Sequence, residues 1–246
     1  MCGRFSLITP IEELKRRFRA EPPGGVIRPR YNAAPGSDLL VIPGESPHQM
    51  QYYRWGLIPR WTKDPAPGNR LINARAETVA QKPSFRDAYR NYRCLVLADG
   101  FYEWDTTSKP HVPYRITLKH NEPFAFAGIA SHWKDNNGKG IYLFAILTTA
   151  ANATVGAIHD RMPVILCPED EHEWLDASVD TRHIETLLRP CADEELVMYP
   201  ISTLINNPGN DVPEVLIEKV ARKRADVFRS LAGMAFNLKK SSNSMY

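Results

Sequence analysis

Between residues 93 and 167 the chain passes through five short apolar segments in close succession, and this crowding constrains the fold more than any other feature. The segments are 93–98, 112–118, 123–130, 141–149 and 163–167, each bounded by Gly, Pro, Asn or Asp. Runs of this length between turn-forming residues read as β-strands. Leu39 to Ile42 and Gln49 to Trp55 add two more upstream. No regular helical crossovers separate them, so the strands are expected to pair mainly antiparallel. The fold class expected is α+β: a single domain with a mainly antiparallel, curled or barrel-like β-sheet core and peripheral short helices.

The helices are read from caps and apolar spacing. Thr9-Pro10-Ile11-Glu12 has the form of a capping box with proline at the first helical position. Ile11, Leu14 and Phe18 then line one face, which predicts a helix over 10–19 that ends at Pro22-Pro23-Gly24-Gly25. Ser84 is expected to cap a second helix running to about Arg90, Pro168 to open 168–176, and Asp180 to cap 181–189. Residues 206–213 read as loop. Val220, Val227, Phe228 and Leu231 have helical spacing, and Ser241 to Tyr246 read as a disordered end.

A chain of 246 residues fits one compact domain with an appendage. The expected division is a domain over 1–220 and a basic, partly helical extension over 221–246. Charge is uneven along the chain: +6 over 1–110, −8 over 111–220 and +5 over 221–246. This asymmetry suggests a polyanion-facing N-terminal half and a basic tail, although solvated surface charge would look the same. There is no run of 18 apolar residues, so no membrane span is expected, and the N-terminus lacks the apolar stretch of a secretory signal. The expected location is the cytoplasm, at the nucleoid if the source is bacterial. Cys2, Cys94, Cys167 and Cys191 show neither CxxC spacing nor zinc-finger histidines, so no metal and no cofactor is expected. Cys94 and Cys167 close or lie in apolar runs and read as core packing.

Cys2 is different because of its place. If Met1 is removed, the chain begins with a 1,2-aminothiol. An α-amine titrates near pKa ~7.8 and a thiol near ~8.5, so both have a nucleophilic fraction at neutral pH. The amine condenses with an aldehyde to an imine, and the thiol closes on the imine carbon to give a five-membered thiazolidine. Position alone does not separate this from a cysteine that falls second by chance.

Six ordered segments bear on that choice: Met1-Cys2-Gly3-Arg4-Phe5, Tyr31-Asn32-Ala33-Ala34-Pro35-Gly36, Trp55-Gly56-Leu57-Ile58-Pro59, Asn73-Ala74-Arg75-Ala76-Glu77, Ala98 to Trp104, and His159-Asp160-Arg161-Met162-Pro163. In sequence and order they resemble the SOS-response-associated peptidase (SRAP) family of abasic-site processing proteins, over roughly residues 2–218. Two departures are visible. Ile129-Ala130 stands where the family often has Leu-Trp, with Trp133 a little later, and the chain extends past about 220.

The resemblance implies a nucleophile at Cys2 and polar active-site partners at Asn73, Glu103 and His159. A carboxyl among Phe101, Tyr102 and Trp104 is expected to have a raised pKa, which suits a general acid. Asn73 suits orientation of the amine, and His159 suits proton transfer near neutral pH. Each also has a structural reading: a strand-end ion pair for Glu103, a turn residue for Asn73, a histidine satisfied by Asp160 for His159.

The expected partner is single-stranded DNA carrying an abasic site, including at a single-strand/duplex junction, bound by a monomer. Arg4, Arg75 and Arg161 lie in or beside the motifs and suit phosphate contacts. Trp55, Trp61 and Trp104 suit stacking on unpaired bases, Leu57-Ile58-Pro59 suits a wedge at a duplex end, and Asn32 and Pro35 complete the expected DNA-facing set. Trp55 reads equally well as core. The leading expectation is an enzyme-like covalent trap with abasic-site lyase capability. The alternatives are an N-terminal-nucleophile cysteine peptidase that processes Met1 itself, and a non-catalytic single-strand binding module.

Overall fold

The computed structural model of the protein describes residues 2–59, 61–62, 71–134, 138 and 140–218; the helix expected over 220–238 and the disordered end lie outside them. In chain order the elements are β1 (Phe5–Leu7), α1 (Ile11–Phe18), β2 (Arg30–Ala33), β3 (Asp38–Pro43), β4 (Gln51–Trp55), β5 (Asn73–Arg75), α2 (Arg86–Asn91), β6 (Arg93–Ala98), β7 (Gly100–Asp105), β8 (Val112–Leu118), β9 (Phe124–Lys134), β10 (Gly140–Ala150), α3 (Ala153–Gly156), β11 (Arg161–Pro163), α4 (Glu171–Leu175), α5 (Thr181–Thr186) and β12 (Leu196–Pro200). No helix among the described residues is long and apolar enough to cross a membrane.

Five strands close on themselves. β3 pairs with β4, β4 with β10, β10 with β9, β9 with β6, and β6 back with β3. Only the β4–β10 contact in this ring is parallel. Past the closed part, β10 is flanked by β5 (parallel, along 146–148) and β11 (antiparallel, along 148–150). A second, antiparallel sheet has the order β12-β8-β7-β1-β2. This is the α+β, barrel-like, single-domain fold expected.

The barrel strands alternate with the two-residue period of a pleated strand. Leu40, Ile42, Leu95, Leu97, Ala125, Ala127, Ala145 and Leu147 join the helix residues Leu14, Tyr89, Trp174 and Ile184 in one core. Their neighbours Leu39, Val41, Val96, Phe126, Phe144 and Ile146 join Phe5, Phe101 and Ile116 of the second sheet in the other. Both faces of β3, β6, β9 and β10 are therefore buried over most of their length, which explains why these segments read as continuous apolar runs, whereas β4 keeps Tyr52 exposed and Arg54 half-buried.

Several local expectations are corrected. Thr9 does not cap α1. Its hydroxyl and backbone N–H both donate to Asp99, and Pro10 precedes the helix with no side-chain cap. Ser84 does not cap α2, which starts two residues later behind Phe85. The strand expected over 163–167 is displaced to 161–163; beyond it the chain stays extended, with Val164 N–H on Leu147 O and Leu166 N–H on Ala125 O. Pro168 opens a turn, and α4 begins at Glu171. Asp180 does cap α5, accepting from Arg182 N–H. Cys94 is buried as expected, but Cys167 is only half-buried. β1, β2, β5, β7 and β12 were not expected as strands.

Candidate active site

The second sheet brings the chain's first residues to the ends of β5, β7 and β11. β1 pairs with β7 at Phe5–Phe101 and Ser6–Gly100, and Tyr102 N–H donates to Arg4 O at 3.0 Å. The pairing thus runs past β1 and leaves Glu103 beside the start of the chain. Asp99 fixes the far end of β1. Its carboxylate accepts from Ser6 Oγ (2.7 Å), Thr9 N–H (2.8 Å), Thr9 Oγ1 (3.0 Å), the Ile8 N–H and Arg115 Nη2 (3.2 Å). Gly100 makes room for this arrangement, because a Cβ there would lie 2.8 Å from Arg115 Nε. Arg4 ties the near end, donating to Asn32 Oδ1 (2.8 Å) and Ile205 O (2.9 Å). These contacts fix both ends of β1, and with it the segment that leads back to Cys2.

Cys2 is fully buried, with Sγ 3.7 Å from Arg4 O. Asn73, the first residue of β5, donates from Nδ2 to Cys2 O at 2.8 Å, and its Oδ1 is buried with no hydrogen-bond partner among the described residues. Burial, and then the nearby Glu103 carboxylate, push the Cys2 thiol far above its usual range. Burial likewise raises the Glu103 carboxyl, against the opposing pull of the chain's amino terminus and of His159. His159 follows α3, with its N–H on Val155 O, and its ring Nδ1 accepts from Arg161 N–H at 2.9 Å. The same Nδ1 lies 3.2 Å from Arg161 O and 3.1 Å from Asp160 Oδ1. The structure therefore assembles all four residues expected to carry chemistry: Asn73 bonds Cys2, Glu103 acts electrostatically on Cys2, and His159 acts on Glu103.

The residues expected to face DNA divide into two groups. Asn32 is 1% exposed, and its amide donates to Ile205 O, Asn207 O and Asn210 O, so it anchors the 205–210 loop. Trp55 is fully buried between Phe5 and Phe144, with Nε1 on Ile72 O, which decides its two readings in favour of core. Leu57 and Ile58 are buried too, leaving only Pro59 of the expected wedge half-buried. Arg4 carries the anchoring contacts above rather than an open guanidinium. Trp104 is half-buried, with Nε1 on Asn206 Oδ1 at 2.7 Å. Arg161 donates to both oxygens of Glu77 (2.5 and 2.9 Å) and to Thr148 O.

Arg75, Pro35 and Trp61 are exposed. Trp61 lines, with Pro59, Pro83, Arg86 and Tyr92, a cleft of about 250 Å³. Among the described residues, no group of three or more His, Cys, Asp or Glu could hold a metal ion.

Sequence reasoning passed over Asp99 and Glu77 although both lie within the motifs. A carboxylate at the end of the apolar run 93–98 was the available signal for Asp99. Glu77 gave none, because its partner lies 84 positions away.

These features define a class: a single-domain α+β protein with a closed five-stranded barrel, a second sheet, and a polar cluster built around the second residue of the chain. Residues 1–208 match the family model described as SOS response associated peptidase (SRAP), and the chain belongs to that family. It is 41% identical over 221 residues to "Abasic site processing protein YoqW" of Bacillus subtilis, covering 88% of this chain and 99% of that protein. It is 32% identical over 262 residues to "Abasic site processing protein HMCES" of Gallus gallus (88% and 77%), and 30% identical over 230 residues to "Abasic site processing protein YedK" of Escherichia coli (88% and 99%). A crystal structure of a Bacteroides thetaiotaomicron protein shares the fold with a TM-score of 0.82 at 28% identity, covering 89% of this chain and all of that one.

Proposed function

We propose that this protein processes abasic sites in single-stranded DNA by forming a covalent thiazolidine through Cys2 after removal of Met1. The observation that carries the reading is the cluster of buried Cys2 and Glu103 with half-buried Asn73 and His159. An opened abasic sugar offers an aldehyde. The Cys2 amine adds to its carbonyl carbon to give a carbinolamine. Glu103, held toward its protonated form by burial, donates a proton to the hydroxyl, which leaves as water, and an imine forms. The thiol then adds across the C=N bond, sulfur to carbon and proton to nitrogen, closing the ring. Asn73 Oδ1 suits the role of acceptor for the amine N–H, while its Nδ2 already holds the neighbouring carbonyl. His159 suits proton return during ring opening or reversal.

The raised thiol favours this order of events. A cysteine peptidase needs a thiolate as its first nucleophile, whereas here burial and Glu103 oppose the thiolate. The amine makes the first bond, and the thiol acts only on the imine. The imine also opens a route to β-elimination, and so to abasic-site lyase activity. Arg75 suits phosphate contact, and Trp61 suits stacking on an unpaired base.

Intact-mass analysis tests the reading. The purified chain should lack Met1, and incubation with abasic single-stranded DNA should give one heat-stable adduct. Cys2→Ala should leave only a borohydride-trappable imine. A heat-stable adduct formed by Cys2→Ala at the rate of the unaltered protein would exclude the thiazolidine. Turnover of peptide bonds without DNA attachment would favour the peptidase instead.

A further inference from the structure

Asp99 stands immediately before β7, and its buried carboxylate grips the segment after Cys2 at several points. It accepts from Ser6 Oγ on β1 and from the backbone N–H groups of Ile8 and Thr9, where the chain turns from β1 into α1. Arg115 of β8 completes the clamp. β7 lies between β8 and β1, and the Arg115 guanidinium reaches across it at Gly100. Its Nη2 donates to Ser6 Oγ and to Asp99 Oδ1, both at 3.2 Å, and its Nη1 donates to Tyr199 Oη of β12 at 2.9 Å. Ser6, Asp99 and Arg115 are all buried. One polar network thus ties β12, β8 and β1 together across β7.

β1 depends on such a hold. It is three residues long, and its pairing with β2 is irregular between Phe5 and Leu7. Burial of Phe5 selects the face that turns inward. Apolar burial is non-directional, however, and leaves the final setting of the strand to its polar contacts. The strand that follows Asp99 also carries Glu103, four residues on. The clamp and the proposed general acid therefore share one element, and what Asp99 fixes is the distance between the start of the chain and Glu103.

We propose that, in the abasic-site reaction proposed above and resting on that reading, Asp99 is a positioning residue that holds β1 where the start of the chain meets Glu103. Asp99 acts through β1 and not on the reacting atoms. A misplacement of about 1 Å at reacting groups costs on the order of 10²-fold in rate, so loosening β1 is felt in the chemical step.

The test compares the unaltered full chain with Asp99→Asn, which keeps the shape of the side chain but replaces one acceptor oxygen with a donor. Single-turnover crosslinking to abasic single-stranded DNA at saturating protein should fall by about 10²-fold. Affinity for the same strand carrying an unreactive tetrahydrofuran site should stay within a few-fold. In a Glu103→Gln background the same substitution should cost only a few-fold, because a misplaced amine loses little more once the acid is gone. A merely structural role would cost the same factor in both backgrounds, and that result overturns the proposal, as does full-rate crosslinking by Asp99→Asn. If Asp99→Asn does not fold, Ser6→Ala decides. It deletes one donor to Asp99 from β1 itself, and should show the same pattern with a smaller fall; an unchanged saturated rate overturns the proposal. An unaltered protein that forms no heat-stable adduct would overturn the function and this role together, whereas the other failures overturn this role alone.

Discussion

The Asn73 carboxamide holds the backbone carbonyl of Cys2 at 2.8 Å while its own oxygen sits buried without a partner among the described residues. A buried acceptor left unpaired costs about 1–3 kcal/mol. On the proposed function, the Cys2 α-amine that loss of Met1 would free is a donor of the right kind for this oxygen. Asn73→Ala should therefore slow single-turnover crosslinking strongly while binding to DNA with an unreactive abasic analogue changes little. Equal loss in both measurements would make Asn73 a residue of the binding surface instead.

Glu103 couples chemistry to stability with opposite signs. Burial raises its folded-state pKa above the unfolded value of about 4.3. The folded form then binds its proton more tightly, so ionisation destabilises the fold as pH rises through the unfolded value toward the folded one. Glu103→Gln removes the ionisation. Its melting temperature should match that of the unaltered protein near pH 4 and exceed it at pH 7. Crosslinking should fall by roughly 10²–10⁴-fold, the usual value of general acid–base catalysis. A melting curve at pH 7 that moves downward would show that the ionised carboxylate is held by contacts stronger than its desolvation.

How far the sequence reveals this arrangement depends on the range of the interaction. The barrel strands are legible because each carries its own apolar run. β1, β5 and β11 are three residues long, and β1 and β5 take their conformation from partners far along the chain. Their period is too short to register. The same limit separates the site residues. Cys2 stands out by its position, and Asn73, Glu103 and His159 through the motifs that carry the family resemblance; the fold places the four in one cluster. The roles of Asn32, Trp55, Leu57 and Arg4 depend on burial, and the sequence does not distinguish an aromatic or basic residue that packs inward from one that meets DNA. Thr9 fits the capping pattern, yet a buried carboxylate 90 positions away takes its hydroxyl.

Arg4 and Arg75 should separate cleanly. Arg4→Ala removes the donor to Asn32 Oδ1, inside a residue 1% exposed, and the donor to Ile205 O. It should lower stability by about 1–3 kcal/mol, read from the urea midpoint. Arg75 is exposed, and Arg75→Ala should leave that midpoint unchanged. It should weaken single-strand binding and reduce the slope of log K against log salt by about 0.7, the share of one phosphate contact. The opposite assignment, with Arg4 changing the slope and Arg75 the midpoint, would return Arg4 to the DNA surface.

Trp61 supplies a simpler test. It is 60% exposed beside its cleft and carries little of the core. Trp61→Ala should weaken single-strand affinity by about 1–3 kcal/mol if one base stacks there, with the thermal midpoint unmoved. Unaltered affinity would remove that stacking position.

The Arg161–Glu77 pair makes the last prediction. Arg161 donates to both Glu77 oxygens and to Thr148 O, while its backbone N–H holds the His159 ring. The Glu77 side chain is half exposed, and an ion pair that open to water contributes at most about 1 kcal/mol. A DNA phosphate is a second bidentate acceptor of the same geometry, so it competes with Glu77 for one guanidinium. Glu77→Gln keeps a hydrogen-bond acceptor but removes the competing charge. Single-strand binding should tighten at low salt, and the salt slope should steepen by up to about 0.7, one further phosphate contact. Arg161→Ala in the same background should cancel the gain. A double variant that binds as tightly as Glu77→Gln alone would show that the gain came from lost long-range repulsion, and Arg161 would then be a structural arginine that keeps its carboxylate when DNA is bound.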